Sequence, residues 1–451
     1  MTQFEAQLRA AGMSEKESGA KGALFEKLDG ELHSLRRHDS LPRFAFFVPG
    51  RLEFLGKHTD YAGGRSIVCA IERGLCLVGA PRADSQIRIL DLGRSLSVNF
   101  PLGPDIAPTA GHWSNFPMTV AARLARDFLE ARRGADIVFT SDLPRASGIS
   151  SSSALVIAIF FALAEANSLW HTGAYRRAFP DRESLVGYVS AIESGASFAS
   201  FSGGRGVGTQ GGSEDHVAIL CSRAGFLRQY SFCPIRLEKE IRFREDQAFV
   251  IAVSSVKADK TGDARDAYNR ASGAAQKVLE LWRDATRRQS DTGDSSLGAV
   301  LAQPGALERL RQIVRDSHDP EYPPDLLLKR LEQFHEETNE IVPRAADALA
   351  SGNFEPLGAL VDRSQFLAET CLANQVPETI ALARSARELG ALAASASGAG
   401  FGGSVWALIQ TGRAEEFRRS WASQYHQRFP ERAEANSFFV ARPGPGLIRF
   451  A

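Results

Sequence analysis

"SDLPRASGISSSSALVIAIF", residues 141–160, is the stretch on which the fold turns. The apolar segment "ADIVFTS" runs into it with strand character, and "ALVIAIFFALA" (154–164) leaves it as a buried helix. Between them lies a turn of glycine and serine. The first N–H groups of a helix lack partners, and its dipole is positive at that end. Ser150, Ser151, Ser152 and Ser153 add hydroxyls there, and Gly148 lets the backbone approach a ligand. Such an end binds anions, phosphate foremost. A single N-capping serine is the plain alternative, but four serines ahead of a wholly apolar helix exceed what a cap uses. No G-x-x-x-x-G-K-[ST] is present, so this is not a Walker A loop.

Working outward, short apolar strands precede this unit: "RFAFFVPGRLEFLG" as strand, turn, strand, then "SIVCAI", "GLCLVGA", "QIRILDLG" and "LSVNF". "WSNFPMTVAARLARDFLEARR" has helical spacing, as does "SLVGYVSAIESGAS", while "VAILCSRAG" and "FLRQYSF" read as a hairpin. "AFVIAVSSV" is a buried strand. Helices dominate from residue 262 to 390, interrupted by the loop "RRQSDTGDSS", before "ALAASASGAGFGGSVWALI" returns to strand, turn, strand. Helix and strand mix without regular alternation, which predicts an α+β fold. With 451 residues, two lobes are expected. The expected division is an N-terminal helical extension over 1–40, a first lobe over 41–235 and a second over 236–451.

Composition narrows the function. Lys plus Arg and Asp plus Glu are both 53, so net charge is zero and no nucleic-acid or membrane partner is expected. Five cysteines, none in a C-x-x-C pair, argue against a disulfide framework or structural zinc. With no apolar leader at "MTQFEAQLRAAG", a cytoplasmic protein is expected. The apolar run 154–164 is too short to span a bilayer.

Three further stretches carry chemistry. "GRLEFLGKHTDYAGG" (50–64) sets Lys57, His58 and Asp60 between glycines. "GGRGVGTQGGSEDHVAIL" contains a formal G-x-G-x-x-G at Gly206, Gly208 and Gly211, but "ESGASFASFS" before it is no strand, so a dinucleotide fingerprint is rejected. It reads instead as a flexible turn bringing Glu214, Asp215 and His216 to a site. "SASGAGFGGSVWAL" holds Gly398, Gly400, Gly402 and Gly403, which allow close backbone approach.

In this order the motifs resemble a known family. "GRLEFLGKHTDYAGG" looks like the galactokinase signature, while "LPRASGISSSSAL" and "SGAGFGGS" resemble the phosphate loop and third motif of the GHMP kinases. "HWSNFP", "GTQGGSEDH" and "GDARDAYNR" are smaller matches. The resemblance implies a two-lobed fold with the active site in the cleft between lobes. It implies magnesium and ATP as cofactors, a small-molecule sugar substrate phosphorylated at its anomeric hydroxyl, and a monomer or small homo-oligomer. It assigns Asp215 as catalytic carboxylate, with Arg51 beside it. His58, Asp60 and Tyr268 match sugar contacts, and Lys57 stands in the same wall. Gly148, Ser150–Ser153, Gly400 and Gly402 match phosphate-binding positions, and Ser152 and Glu193 the magnesium ligands.

The chain also departs from the pattern. Ala146 stands for the usual glycine, Ser153 for alanine and His216 for glutamine; "FASFSGGRGV" (198–207) is inserted between Glu193 and Asp215. "ASAS" occupies the place of an arginine ahead of the third motif. Lys57 replaces a glutamate that helps hold the sugar. Lysine donates hydrogen bonds only, so a uronic acid such as galacturonate is the alternative substrate, unless Lys57 turns away to solvent. A non-catalytic sugar sensor is a second alternative, which the presence of Arg51, Ser152 and Asp215 disfavours. A mevalonate- or homoserine-type kinase is disfavoured by "HTDYAGG".

Overall fold

The computed structural model describes residues 1–36, 43–109, 111–144, 147–256, 263–286, 295–433 and 437–450. Ala146 and nearly all of "RRQSDTGDSS" lie outside them, as do residues 37–40 of the expected N-terminal extension and residue 262, where the helical region is expected to begin.

Thirteen strands among the described residues form two sheets. The first holds β1 (Phe44–Leu55), β2 (Arg65–Pro81), β3 (Gln86–Asp91), β4 (Leu96–Pro101), β5 (Ala135–Ser141), β6 (Phe226–Ser231) and β7 (Arg236–Arg242). The second holds β8 (Gln247–Val253), β9 (Ala393–Ser397), β10 (Ser404–Gln410) and β11 (Ser437–Ala441), in the order β11-β8-β10-β9. Two short strands, β12 (Pro443–Gly444) and β13 (Ile448–Arg449), return to β2 and β1. Pairing is antiparallel except between β3 and β5. Helix and strand mix as the α+β reading expects. Strand pairing changes sheet between Arg242 and Gln247, and the C-terminal strands rejoin the first sheet.

Three strand assignments are corrected. "RFAFFVPGRLEFLG" is one strand, β1, buried along its whole length, with register shifts at Pro49/Arg51 and Glu53/Leu55. The Pro-Gly pair makes a bulge rather than a turn. A Cβ on Gly50 would lie 2.6 Å from Leu143 Cδ2 and 2.9 Å from Ile149 O, so glycine there lets β1 meet the serine loop. "SIVCAI" and "GLCLVGA" likewise fuse into the single strand β2. The expected hairpin over 217–232 is absent. Glu214–Cys221 is a helix, and β6 pairs instead with β7 and β2.

The Ser151–Ala166 helix is buried nearly throughout, which explains its apolar composition. It packs on β1 and β2 and fixes where its N-terminal serines point. Two leading helices, Gln3–Ala10 and Glu15–Arg36, put Leu8, Phe25, Leu28 and Leu32 against Phe47, Val78 and Val138. The buried Lys21 Nζ there pairs with Asp142 at 2.6 Å. No helix among the described residues is long and apolar enough to cross a membrane.

Candidate active site

Arg51, on β1, and Asp215, in the first turn of the Glu214–Cys221 helix, meet at the centre of the site. Arg51 Nε donates to Asp215 Oδ1 at 2.7 Å, and Nη1 donates to the carbonyl of Gly148. Burial works against the Arg51 charge, but Asp215, Glu214 and Glu53 more than offset it and raise its pKa. Ser153 Oγ donates to Asp215 Oδ2 at 3.2 Å. So the serine in place of the usual alanine is spent on the carboxylate. Ser153→Ala is expected to lower kcat roughly three- to tenfold, with KM for ATP little changed, because one hydrogen bond to a charged group is lost. Steady-state kinetics check this, and an unchanged kcat would refute it.

Both groups line a cavity of about 590 Å³. One wall is the 56–64 segment. His58 sits at φ 58°, held by Tyr61 OH on Nδ1 at 3.0 Å and by Ala399 O on Nε2 at 2.9 Å. Burial, reinforced by the positive charges of Arg330 and Lys57, pushes its pKa down to about 4, so the ring is neutral. Asp60 accepts from the backbone N–H of Tyr61 and Glu214, both at 2.9 Å. A Cβ on Gly212 would lie 2.3 Å from Asp60 Oδ2, so only glycine lets the 208–212 loop close on that carboxylate. Tyr268, from the Asp263–Thr286 helix, lies 5.0 Å ring to ring from His58. His58, Asp60 and Tyr268 all face the cavity. Arg330 holds this wall from behind, donating to the His58 carbonyl and to Tyr61 OH, and Gln333 donates to the Lys57 carbonyl. The sequence reading missed both, since no local motif marks them.

Lys57 is the main correction. It does not line the cavity, and it does not turn to solvent either; it is 1% exposed. Nζ donates to Ser364 Oγ at 3.3 Å, and Ser364 Oγ donates to Glu337 Oε1 at 2.9 Å. Glu337, fully buried on a π-helical turn (Glu337–Ile341), also accepts from Gly56 N at 2.8 Å. Lys57 attracts buried Glu53 as well. Isolated buried carboxylates are costly, so the lysine turns inward to answer them.

The serine loop faces the cavity. Ser150, Ser151, Ser152, Ser153 and Gly148 all line it. Ser150 is in the left-handed region, and its buried Oγ has no hydrogen-bond partner among the described residues. The third motif behaves differently. Gly398 and Ala399 line the cavity, whereas Gly400 and Gly402 do not. A Cβ on Gly400 would lie 2.3 Å from Asn374 O, and one on Gly402 2.5 Å from Val256 O. These glycines serve close backbone packing rather than phosphate. Glu193, 5% exposed at the end of the Arg182–Ser194 helix, lines the cavity with its Oε2 3.1 Å from His216 Nε2. The 198–207 insertion closes on itself through Phe198 and Phe201, and its end returns when Val207 N donates to Glu193 O. Glu193 therefore stays at the cavity despite the insertion.

Part of the cavity lining is apolar, from Leu75, Trp113, Phe116, Phe139, Leu143 and Leu155, and Arg94 lines the cavity as well.

Comparison with known proteins agrees with this geometry. Residues 34–81 match the family described as the galactokinase galactose-binding signature, 115–204 the GHMP kinases N-terminal domain and 345–427 the GHMP kinases C-terminal region. A galactokinase of Roseiflexus sp. (strain RS-1) is 25% identical, covering 90% of this chain and 93% of its own. One from Chloroflexus aggregans is 28% identical, covering 84% and 87%. In fold, the Lactococcus lactis galactokinase solved with galactose superposes with a TM-score of 0.75 at 22% identity, covering 95% of this chain and 99% of its own. With the galactose-binding signature on the wall that carries His58 and Asp60, and both GHMP regions matched in order, the chain is similar over most of its length to galactokinases of the GHMP kinase type.

Proposed function

We propose that the protein is an ATP-dependent sugar kinase that transfers the γ-phosphoryl group to the anomeric hydroxyl of galactose or a close neutral relative. The observation that carries this is the buried Arg51–Asp215 pair, set between the serine loop and the His58–Asp60–Tyr268 wall in one cavity. Phosphoryl transfer is catalysed mainly by positioning and charge stabilisation. Asp215 accepts the hydroxyl proton as that oxygen bonds to phosphorus and the bond to the ADP oxygen breaks. Arg51 keeps the carboxylate ionised and steadies charge on the transferring group. The serine loop cradles the phosphates, and the apolar part of the lining suits the adenine. Magnesium fits this donor set: Ser152 and Glu193 both open on the cavity, and one hydroxyl with one carboxylate is the sparse oxygen set it takes when phosphate and water complete its coordination. Bound there, it would neutralise phosphate charge. The uronate alternative loses its support, because Lys57 is turned away from the cavity.

The test is ADP release with magnesium-ATP and a panel of galactose, other hexoses, galacturonate and mevalonate. Galactose or another neutral hexose is expected to give the highest kcat/KM. Turnover with galacturonate alone would overturn the substrate assignment, and no turnover with any sugar would overturn the kinase reading.

A further inference from the structure

Arg51 faces more carboxylate than Asp215 alone. Glu214 Oε1 lies 3.8 Å from Arg51 Nε, and Glu53 lies two residues along β1. Glu53 and Glu214 are 3% and 5% exposed, and both line the cavity. The two carboxyl groups crowd a guanidinium that Asp215 already pairs with, and Oε1 of each has no hydrogen-bond partner among the described residues. Ionised carboxylates are acceptors only, so two of them buried around one guanidinium are relieved by a proton held between them. The surroundings do not supply enough positive charge to dispense with it. Arg51 and Lys57 are the cations facing the pair, against Asp60, Asp215, Glu337 and the Tyr268 hydroxyl.

We propose that Glu53 and Glu214 share one proton and act as a positioning pair for the catalytic centre: while the proton is held, Arg51 stays committed to Asp215, and its loss draws the guanidinium toward Glu214. Burial pushes both groups upward, Glu53 to about 7 with Lys57 and Arg51 easing it, and Glu214 well above the usual carboxylate range, with Glu53 and Asp60 adding repulsion. They titrate as a unit. Holding the proton keeps the Arg51–Asp215 contact; its loss on the alkaline side loosens that contact and lowers turnover. The pair also makes the fold pH-sensitive. A carboxyl raised on folding contributes stability that is full below its ordinary range and lost as pH rises through the folded value.

This inference rests on the reading of Asp215 as the group that meets the sugar hydroxyl, and the experiment separates the two. Turnover of the best sugar is measured against pH for the wild type, Glu214→Gln and Glu53→Gln, alongside infrared spectra of the ligand-free proteins. Expected is an alkaline fall in kcat of on the order of tenfold in the wild type that flattens in both variants. Also expected is a protonated-carboxyl C=O band at pH 7 that is lost in each variant and fades as the wild type is taken to high pH. A variant that keeps the wild-type alkaline limb, or a wild type without that band, overturns the proposal. If no sugar is turned over, the kinase reading fails, and the infrared band alone still decides whether the pair shares a proton.

Discussion

Replacing Asp215 with asparagine is expected to cut turnover about 10³-fold, in line with the loss of a general base at a reacting hydroxyl. The amide cannot accept that proton, and it removes the negative charge to which Arg51 Nε donates at 2.7 Å. Arg51 and Ser153 would then face an uncharged group, yet the serine loop and the apolar part of the lining would be untouched. ATP affinity, read by equilibrium binding, is therefore expected to change by less than about threefold while kcat collapses. The split between kcat and nucleotide binding is the decisive readout. A variant retaining the wild-type rate would mean another carboxylate takes the proton. Asp60 would be the next candidate, since it lines the same cavity and contacts the Glu214 backbone at 2.9 Å.

The second large effect is on stability. Lys57→Ala is expected to destabilise the fold by about 3–5 kcal/mol, the usual cost of removing one partner from a buried ionic network. Lys57 is 1% exposed, and it stands opposite Glu53 while Ser364 links it to the fully buried Glu337. Without it, two buried carboxylates lose their nearest compensation. Urea unfolding followed by far-ultraviolet circular dichroism measures the difference. Lys57→Met separates charge from packing, because it keeps an unbranched chain of similar length, and it is expected to recover only a minor share. Lys57→Glu restores the residue the galactokinase signature usually has, and is expected to be worse still: it sets a third carboxylate beside Glu53 and Glu337. A Lys57→Ala protein within about 1 kcal/mol of wild type would show that the network does not depend on this charge.

These two predictions separate roles that looked alike in the sequence. In "GKHTDYAGG", Lys57 and His58 are neighbours, and the sequence sets them in one wall. The structure turns His58 toward the cavity in the left-handed region and sends Lys57 into the interior. The inward turn also accounts for the departure from the signature without invoking another substrate.

The sequence by itself determined the α+β class, the strand–turn–helix unit around Gly148, the serine cluster at a helix N-terminus and the order of the glycine-rich motifs. Those features are local. A helix start, a turn and an apolar run are written in adjacent residues, because backbone geometry and helix dipoles act over a few positions. Only the tertiary structure decided which side chains share the site. The partner of Arg51 is 164 residues away, the carboxylate on Gly56 N is 281 away, and the hydroxyl on Lys57 Nζ is 307 away. Gly400 and Gly402 of the third motif read as ligand-binding until their contacts with Asn374 and Val256 showed them to be packing. Likewise 217–221 read as a strand because a short apolar run has no period that tells a buried strand from a buried helix. The charge of a buried side chain is settled by which opposite charges the fold brings against it. That is a property of the folded chain and not of any stretch within it.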